Sequence, residues 1–244
     1  MSYSNVHFIL FKPQLAENIG ACARALKNFN FSKLKIVSPK ISFPNEKVFA
    51  TSVGAKDIIS ASKIYSNFED AIKNTNCVIA TSSRIRKKNY KHLSLNELRK
   101  INFKQKIAIV FGPEASGLTN NELSYANYVI KLPTNNKFQS LNLSHCVILL
   151  CHEIFKILNK KVNKFDSKYK NKQVNKEELN KFINFLVNSL DQIGFLQPDH
   201  KRKSMIENIR TIFHKMNLSD KEMRILLGII GSLKNKKVDW QTRG

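Results

Sequence analysis

Apolar positions in the first 155 residues come in short blocks separated by turn-forming residues, the pattern of buried strands alternating with helices. Val6–Phe11 (VHFILF), 34–37, Lys63–Tyr65, Cys77–Thr81 (CVIAT), Ile107–Phe111 (IAIVF) and 128–132 read as strands. Helices are predicted over about 19–29, in two short pieces flanking Gly54, over 67–73, and over a long stretch from about 140 to 158. Ser94 with Glu97, and Thr119 with Glu122, have the spacing of capping boxes, in which hydroxyl and carboxylate satisfy the first free amides of a helix. Strands alternating with helices predict an α/β fold with a mostly parallel sheet covered on both faces.

Beyond residue 155 the pattern changes. Residues 156–176 hold eight lysines against one acid, Asp166, and read as a solvated linker. Then Leu179, Phe182, Ile183, Leu186, Val187, Leu190 and Ile193 recur at helical spacing along one face. Ile206, Ile209, Ile212 and Phe213 mark a second helix, and Ser219 with Glu222 opens a third. The expected organisation is an α/β domain over 1–158, a Lys-rich linker over 159–176 and a small all-helical extension over 177–244.

Composition narrows the classes. A chain of 244 residues with 42% hydrophobic and 24% charged residues can bury a real core. No apolar run approaches the ~18–20 residues of a membrane span, and the first residues lack a basic signal-peptide region, so no membrane partner and a cytoplasmic location are expected. Cys22, Cys77, Cys146 and Cys151 form no CxxC pair, and His145 and His152 lie seven apart on a helix, so no metal is expected. Lys and Arg number 41 against 18 acids, a net charge of +23, which points to a polyanion. An AT-rich genome gives a similar bias, since 33 of the cations are Lys and there are 27 Asn.

Candidate chemistry gathers after the strands, where ligands bind in open α/β sheets. The segment 13–24 offers a Pro-bounded turn, Asn18 as a possible helix cap, small residues, and Arg24 on the first helical turns. Thr81-Ser82-Ser83-Arg84 is followed by a basic loop with Arg86, Lys87, Lys88 and one aromatic, Tyr90, a composition suited to RNA. Gly112-Pro113-Glu114-Ala115-Ser116-Gly117 lacks the Gly-Lys-Ser/Thr ending of a phosphate loop, and no strand opens into GxGxxG. The last segment runs from Leu132-Pro133 to Ser140-Leu141-Asn142 at the start of the long helix. Singly, each of these segments also reads as an ordinary capped turn.

Taken in order, Asn18-Ile19-Gly20-Ala21 with Arg24, then Phe111 to Leu118, then Leu132-Pro133 with Ser140-Leu141-Asn142-Leu143-Ser144, resemble the three motifs of the SPOUT methyltransferases. Among these the chain is similar to the TrmJ-type tRNA 2′-O-methyltransferases over about residues 5–158. The tail resembles that family's helical extension, notably around Ile193-Gly194-Phe195-Leu196 and Arg224 to Ile229.

The resemblance implies a SPOUT α/β knot, with the C-terminal part of the sheet tied in a trefoil. It implies S-adenosylmethionine held by Thr81, Ser82, Arg84, Gly112, Glu114, Gly117, Leu132, Ser140 and Leu141. It implies catalysis by Arg24, Ser140 and Asn142, substrate contacts from Asn18, Arg24, Arg86, Lys87 and Lys88, and tRNA as the partner. It further implies a homodimer with the site at the subunit interface, so that Arg24 faces the partner's cofactor. The implied reaction is methylation of the ribose 2′-OH of cytidine or uridine at position 32 of the anticodon loop. Two alternatives stand beside it, a SPOUT enzyme acting on rRNA or another tRNA position, and a catalytically silent RNA-binding module. Ala115, where many relatives carry Arg, and Asn30, where a Gly often closes the first helix, depart from the family pattern.

Overall fold

β1 (Val6–Phe11) is apolar on both faces because both are covered. The computed structural model, which describes residues 3–83, 90–159 and 173–235, places it inside a seven-stranded sheet. The other strands are β2 (Lys33–Val37), β3 (Lys63–Tyr65), β4 (Cys77–Thr81), β5 (His92–Leu93), β6 (Ile107–Phe111) and β7 (Tyr128–Ile130). All pair in parallel, in the order β3-β2-β1-β6-β4-β7-β5. Side chains alternate across it. Val6, Phe8 and Leu10 join one core under α1 (Ala16–Asn28), α2 (Glu46–Thr51), α3 (Lys56–Ser60) and α6 (Leu143–Asn159). Ile9 and Phe11 join the other, under α4 (Phe68–Ile72) and α5 (Asn120–Leu123).

The expected strands are present, and the boundaries that moved have local causes. β7 ends at Ile130 and α6 starts at Leu143, because the intervening segment makes its own turns and Asn142 Oδ1 takes the Ser144 amide at 2.8 Å. Two-residue β5 was not expected, and the Ser94 capping box opens a 3-10 helix over Leu95–Lys100. Asn30 closes α1 with φ +62°, while the Phe31 amide reaches Leu26 O at 2.9 Å and its own reaches Lys27 O at 3.1 Å. That is a Schellman closure, and Asn is the non-glycine residue that tolerates the left-handed position best. The departure at this position is therefore structural. Gly20 lets α1 meet α2, since a Cβ there would lie 2.0 Å from Thr51 Oγ1 and 2.5 Å from Val48 O.

The extension consists of α7 (Lys176–Gln192), α8 (Asp199–Met216) and α9 (Asp220–Asn235) around Val174, Leu179, Phe182, Ile183 and Leu218. Polar groups join it to the sheet domain. Asn127 accepts the Val78 amide at 2.8 Å and donates to His214 O at 2.7 Å, and Arg210 lies 4.4 Å above the Tyr125 ring. Most of the expected linker lies outside the described residues, yet Lys176, read with the solvated lysines, is fully buried at the start of α7. Its Nζ lies 2.9 Å from His214 Nδ1.

Burial pulls the Lys176 ammonium down to about 7 against a weaker opposing pull from Cys77. Burial, then the charges of Lys176 and Arg210, hold His214 well below its ordinary value, so its Nδ1 is free to accept from Lys176. Both groups bind fewer protons folded than unfolded, so stability is lost as pH falls from the ordinary lysine value toward 7, and again below the ordinary histidine value. Relative to the parent, Lys176→Met is expected to gain stability as pH falls from about 10 to about 7, by up to ~1.4 kcal/mol per unit. Urea unfolding of both proteins across that range checks this, and a pH-independent difference overturns it.

Candidate active site

β6, β4 and β7 are neighbours in the sheet, so the loops leaving their carboxyl ends converge. They enclose a cavity of about 380 Å³ lined by Thr81–Ser83, the 111–118 loop, Ile130, Leu132, Thr134 and the 139–146 segment. The first loop is held by Thr81 Oγ1 donating to Val110 O at 3.0 Å and the Ser82 amide donating to Ile130 O at 3.0 Å. In the second, Gly117 takes φ +66° and its amide bonds Pro113 O at 2.9 Å. A Cβ on Gly112 would come within 2.5 Å of Gly117 C and Leu118 N, so this tight loop needs glycine at both ends. In the third, Gln139 is clasped by Lys131 Nζ on its side chain at 3.3 Å and by Thr134 Oγ1 on its carbonyl at 3.4 Å.

One carboxylate ties these loops to α1. Glu114 accepts the Gln14 amide at 3.0 Å, the Leu15 amide at 3.4 Å and Asn18 Nδ2 at 2.9 Å. Asn18 Oδ1 in turn accepts Asn142 Nδ2 at 3.0 Å, and Gln14 Oε1 accepts the Ala115 amide at 3.1 Å. Asn18 was expected to cap α1, but it sits inside the helix, which begins three residues earlier than the sequence suggested. Leu15 at the cap has no side chain to offer, and the Glu114 carboxylate from a distant loop serves these amides at the positive end of the helix.

Of the residues expected to hold the cofactor, Thr81, Ser82, Gly112, Glu114, Gly117, Leu132, Ser140 and Leu141 line the cavity. Arg84, Arg86, Lys87 and Lys88 lie outside the described residues. Asn18 stands behind the lining through its contact with Glu114, and Asn142 through its contact with Asn18, whereas Arg24 is exposed on α1 and does not line the cavity of its own chain. Thr134 and Gln139, inside the expected third loop but not singled out in it, and Cys146, which the sequence did not point to, also line the wall. Burial pushes the Cys146 thiol up to about 11, so it serves as wall and not as nucleophile. Sequence reasoning passed over Phe138, 78% exposed at the tip of the third loop; an aromatic between Lys137 and Gln139 in a polar segment was the available signal. Among the described residues no group of three or more His, Cys, Asp or Glu side chains is placed to hold a metal ion.

Comparison with known proteins matches residues 5–152 to the model of the SpoU rRNA methylase family. This chain belongs to that family. Residues 177–242 match a second model, the C-terminal domain of the tRNA methyltransferase TrmJ. A tRNA (cytidine/uridine/adenosine-2′-O-)-methyltransferase TrmJ of Pseudomonas aeruginosa is 32% identical, with 92% of each chain covered. An uncharacterised tRNA/rRNA methyltransferase of Haemophilus influenzae is 30% identical, with 96% of each covered. The crystal structure of TrmJ from Z. mobilis superposes with a TM-score of 0.83 at 28% identity, covering 93% of this chain and 98% of that one.

In this SpoU-family site, Glu114→Ala leaves two backbone amides and the Asn18 amide group without their shared acceptor. An unfolding free energy lower by about 1–3 kcal/mol is expected, with faster hydrogen exchange at the Gln14 and Leu15 amides. Unchanged protection at both amides overturns the assignment.

Proposed function

We propose that this chain transfers a methyl group from S-adenosylmethionine to the ribose 2′-OH of cytidine or uridine at position 32 of the tRNA anticodon loop. The observation that carries this reading is the pairing, on one chain, of a SpoU methylase match that contains the whole cavity with a TrmJ C-terminal match over the helical extension. The cavity chemistry agrees. Among the described lining residues the only charged side chain is Glu114, set among Phe111, Ile130, Leu132, Leu141 and Leu143. Such a wall suits a cationic sulfonium on an apolar nucleoside and disfavours a phosphate-bearing cofactor. A trefoil knot through these loops belongs to the same reading, supported by the interleaving of late strands with early ones, β6 and β7 flanking β4.

When bound, the cofactor supplies an electrophilic methyl. Loops 111–118 and 131–142 would hold it and exclude water, and the link from Glu114 through Asn18 to Asn142 would set the loop spacing that an in-line transfer requires. A guanidinium is a poor proton acceptor, so Arg24 would hold the substrate phosphate and stabilise the developing alkoxide. The 2′-OH proton would pass to that phosphate or to water, and the sulfonium would leave as a neutral thioether. The exposure of Arg24 fits a homodimer in which each Arg24 serves the partner's cavity. Ile148 and Leu149, exposed on α6 between His145 and His152, offer a face for that pairing. Phe138 stands on a turn set by its own amide on Asn135 O at 2.9 Å and the Lys137 amide on Asn135 Oδ1 at 2.9 Å. This exposed aromatic is a platform for an unpaired base of the loop. A cytoplasmic location goes with this substrate.

Incubation with tritiated S-adenosylmethionine and total tRNA or rRNA, followed by mapping of the labelled nucleotide, tests the reading. Label in rRNA alone overturns it. Arg24→Ala is expected to abolish transfer with cofactor affinity within a few fold of the parent, and near-normal turnover overturns the role given to Arg24. Phe138→Ala is expected to raise the KM for tRNA roughly 5- to 100-fold with kcat little changed, and Phe138→Trp to restore it.

A further inference from the structure

The amino-terminal rim of the sheet, opposite the cavity, carries a second concentration of chemistry. On the face shared with Ile9 and Val37, alternation brings together Lys63 on β3, Lys33 and Lys35 on β2, His7 on β1, and Lys106 just before β6. Register sets His7 beside Lys33 and Lys35 beside Lys63. These are four adjacent strands, so the row is about 14 Å wide at ~4.8 Å per strand. Lys35 is buried, its Nζ donating to Ala71 O at 2.5 Å and lying 5.5 Å from the Tyr65 ring centre. Lys33, Lys63 and Lys106 are exposed, as is Lys104, whose carbonyl accepts Asn5 Nδ2 at 2.9 Å.

The carboxylates are engaged with other groups, including those of α4, which packs against β2 and β3. Asp57 pairs with Lys27, Asp70 with Lys73, Glu97 with Lys100, Glu153 with Lys156 and Glu177 with Lys181. Among the described residues, Lys33, Lys63, Lys104 and Lys106 have no ion pair. Burial, and then the charges of Lys35, Lys106, Lys33 and Lys63, hold His7 at about 4, with no carboxylate among the charges that act on it. Unpaired like charges repel, and a row of them gathered on one rim gains most from a polyanion that displaces counterions.

We propose that Lys33, Lys63 and Lys106, with Lys104 beside them, form a binding surface for the phosphodiester backbone of RNA, separate from the catalytic cavity. A five-residue strand puts about 16 Å between the two rims, a distance that an RNA of tRNA size spans. The surface would hold the body of the substrate while its reacting ribose sits at the opposite end of the strands. This rests on the reading that the substrate is RNA, and RNA is favoured over an acidic protein because the catalytic end of the same sheet already handles that polyanion.

The test compares the parent with the combined Lys33→Gln, Lys63→Gln and Lys106→Gln variant. A charge-matched control carries Lys56→Gln, Lys201→Gln and Lys221→Gln, at exposed lysines on α3, α8 and α9. Filter binding of tRNA is measured from low to high salt, together with cofactor affinity and methyl transfer. The rim variant is expected to bind roughly 10- to 100-fold more weakly near 0.15 M salt, to lose about 2–3 units of salt slope, and to converge with the parent near 1 M. Its cofactor affinity and its kcat at saturating tRNA should match the parent. A slope and affinity equal to the parent's, or an equal loss in the control, overturns the proposal. If the parent methylates no RNA, the proposed function fails, while the binding comparison still decides the fate of the rim.

Discussion

The arrangement of the site depends on one carboxylate. Glu114 lies on the loop after β6, yet it serves amides that precede α1, nearly a hundred residues earlier in the chain, and the side chain of Asn18 on that helix. Through Asn18 it reaches Asn142 at the start of α6. Three segments remote in sequence are thereby fixed relative to one another, two by hydrogen bonds to a carboxylate, the stronger class of such bonds, and the third by the Asn18–Asn142 bond. The glycines at 112 and 117 exist to let this loop turn tightly enough to present Glu114 there. Replacing either by a residue with a Cβ would move the carboxylate, and the walls of the cavity with it.

Strand positions were legible in the sequence because a parallel sheet buried on both faces demands unbroken apolar runs, and VHFILF, CVIAT and IAIVF have few other readings. The capping boxes at Ser94, Thr119 and Ser219 were legible because they are local. What was not legible is what arises between distant segments. Asn18 looked like a cap because caps are sought beside the helix, whereas the group that serves the start of α1 comes from residue 114. Lys176 looked solvated because it ends a lysine run, and its burial depends on α8 bringing His214 within 2.9 Å. Eight residues that line the cavity could be named from the order of three motifs, but the link from Glu114 through Asn18 to Asn142 could not.

The described cavity wall and the opposite rim differ in charge. The described wall of the cavity has one charged side chain, and that one is negative, although the chain carries a net charge of +23. Across four adjacent strands the opposite rim has Lys63 on β3, Lys33 on β2 and Lys106 just before β6, and no carboxylate is among the charges that act on His7. Lysine does reach the cavity end of the sheet, since Lys131 follows β7 and its Nζ donates to Gln139 of the wall at 3.3 Å, but none is among the described residues that line the cavity. A described wall without lysine suits the cofactor, since a cationic sulfonium beside lysines in a low-dielectric pocket would be repelled by about several kcal/mol per contact.

The extension bears on the cavity as well. Asn127, just before β7, accepts the Val78 amide in β4 and donates to the last turn of α8, so the helices hold the two strands near their amino ends. The same two strands open into the cavity at their carboxyl ends, where the Ser82 amide bonds Ile130 O. Strands of three to five residues between two such fixed points leave little room for one end to shift without the other. The helical extension is therefore part of the frame that spaces the loops of the site, in addition to whatever surface it offers to RNA.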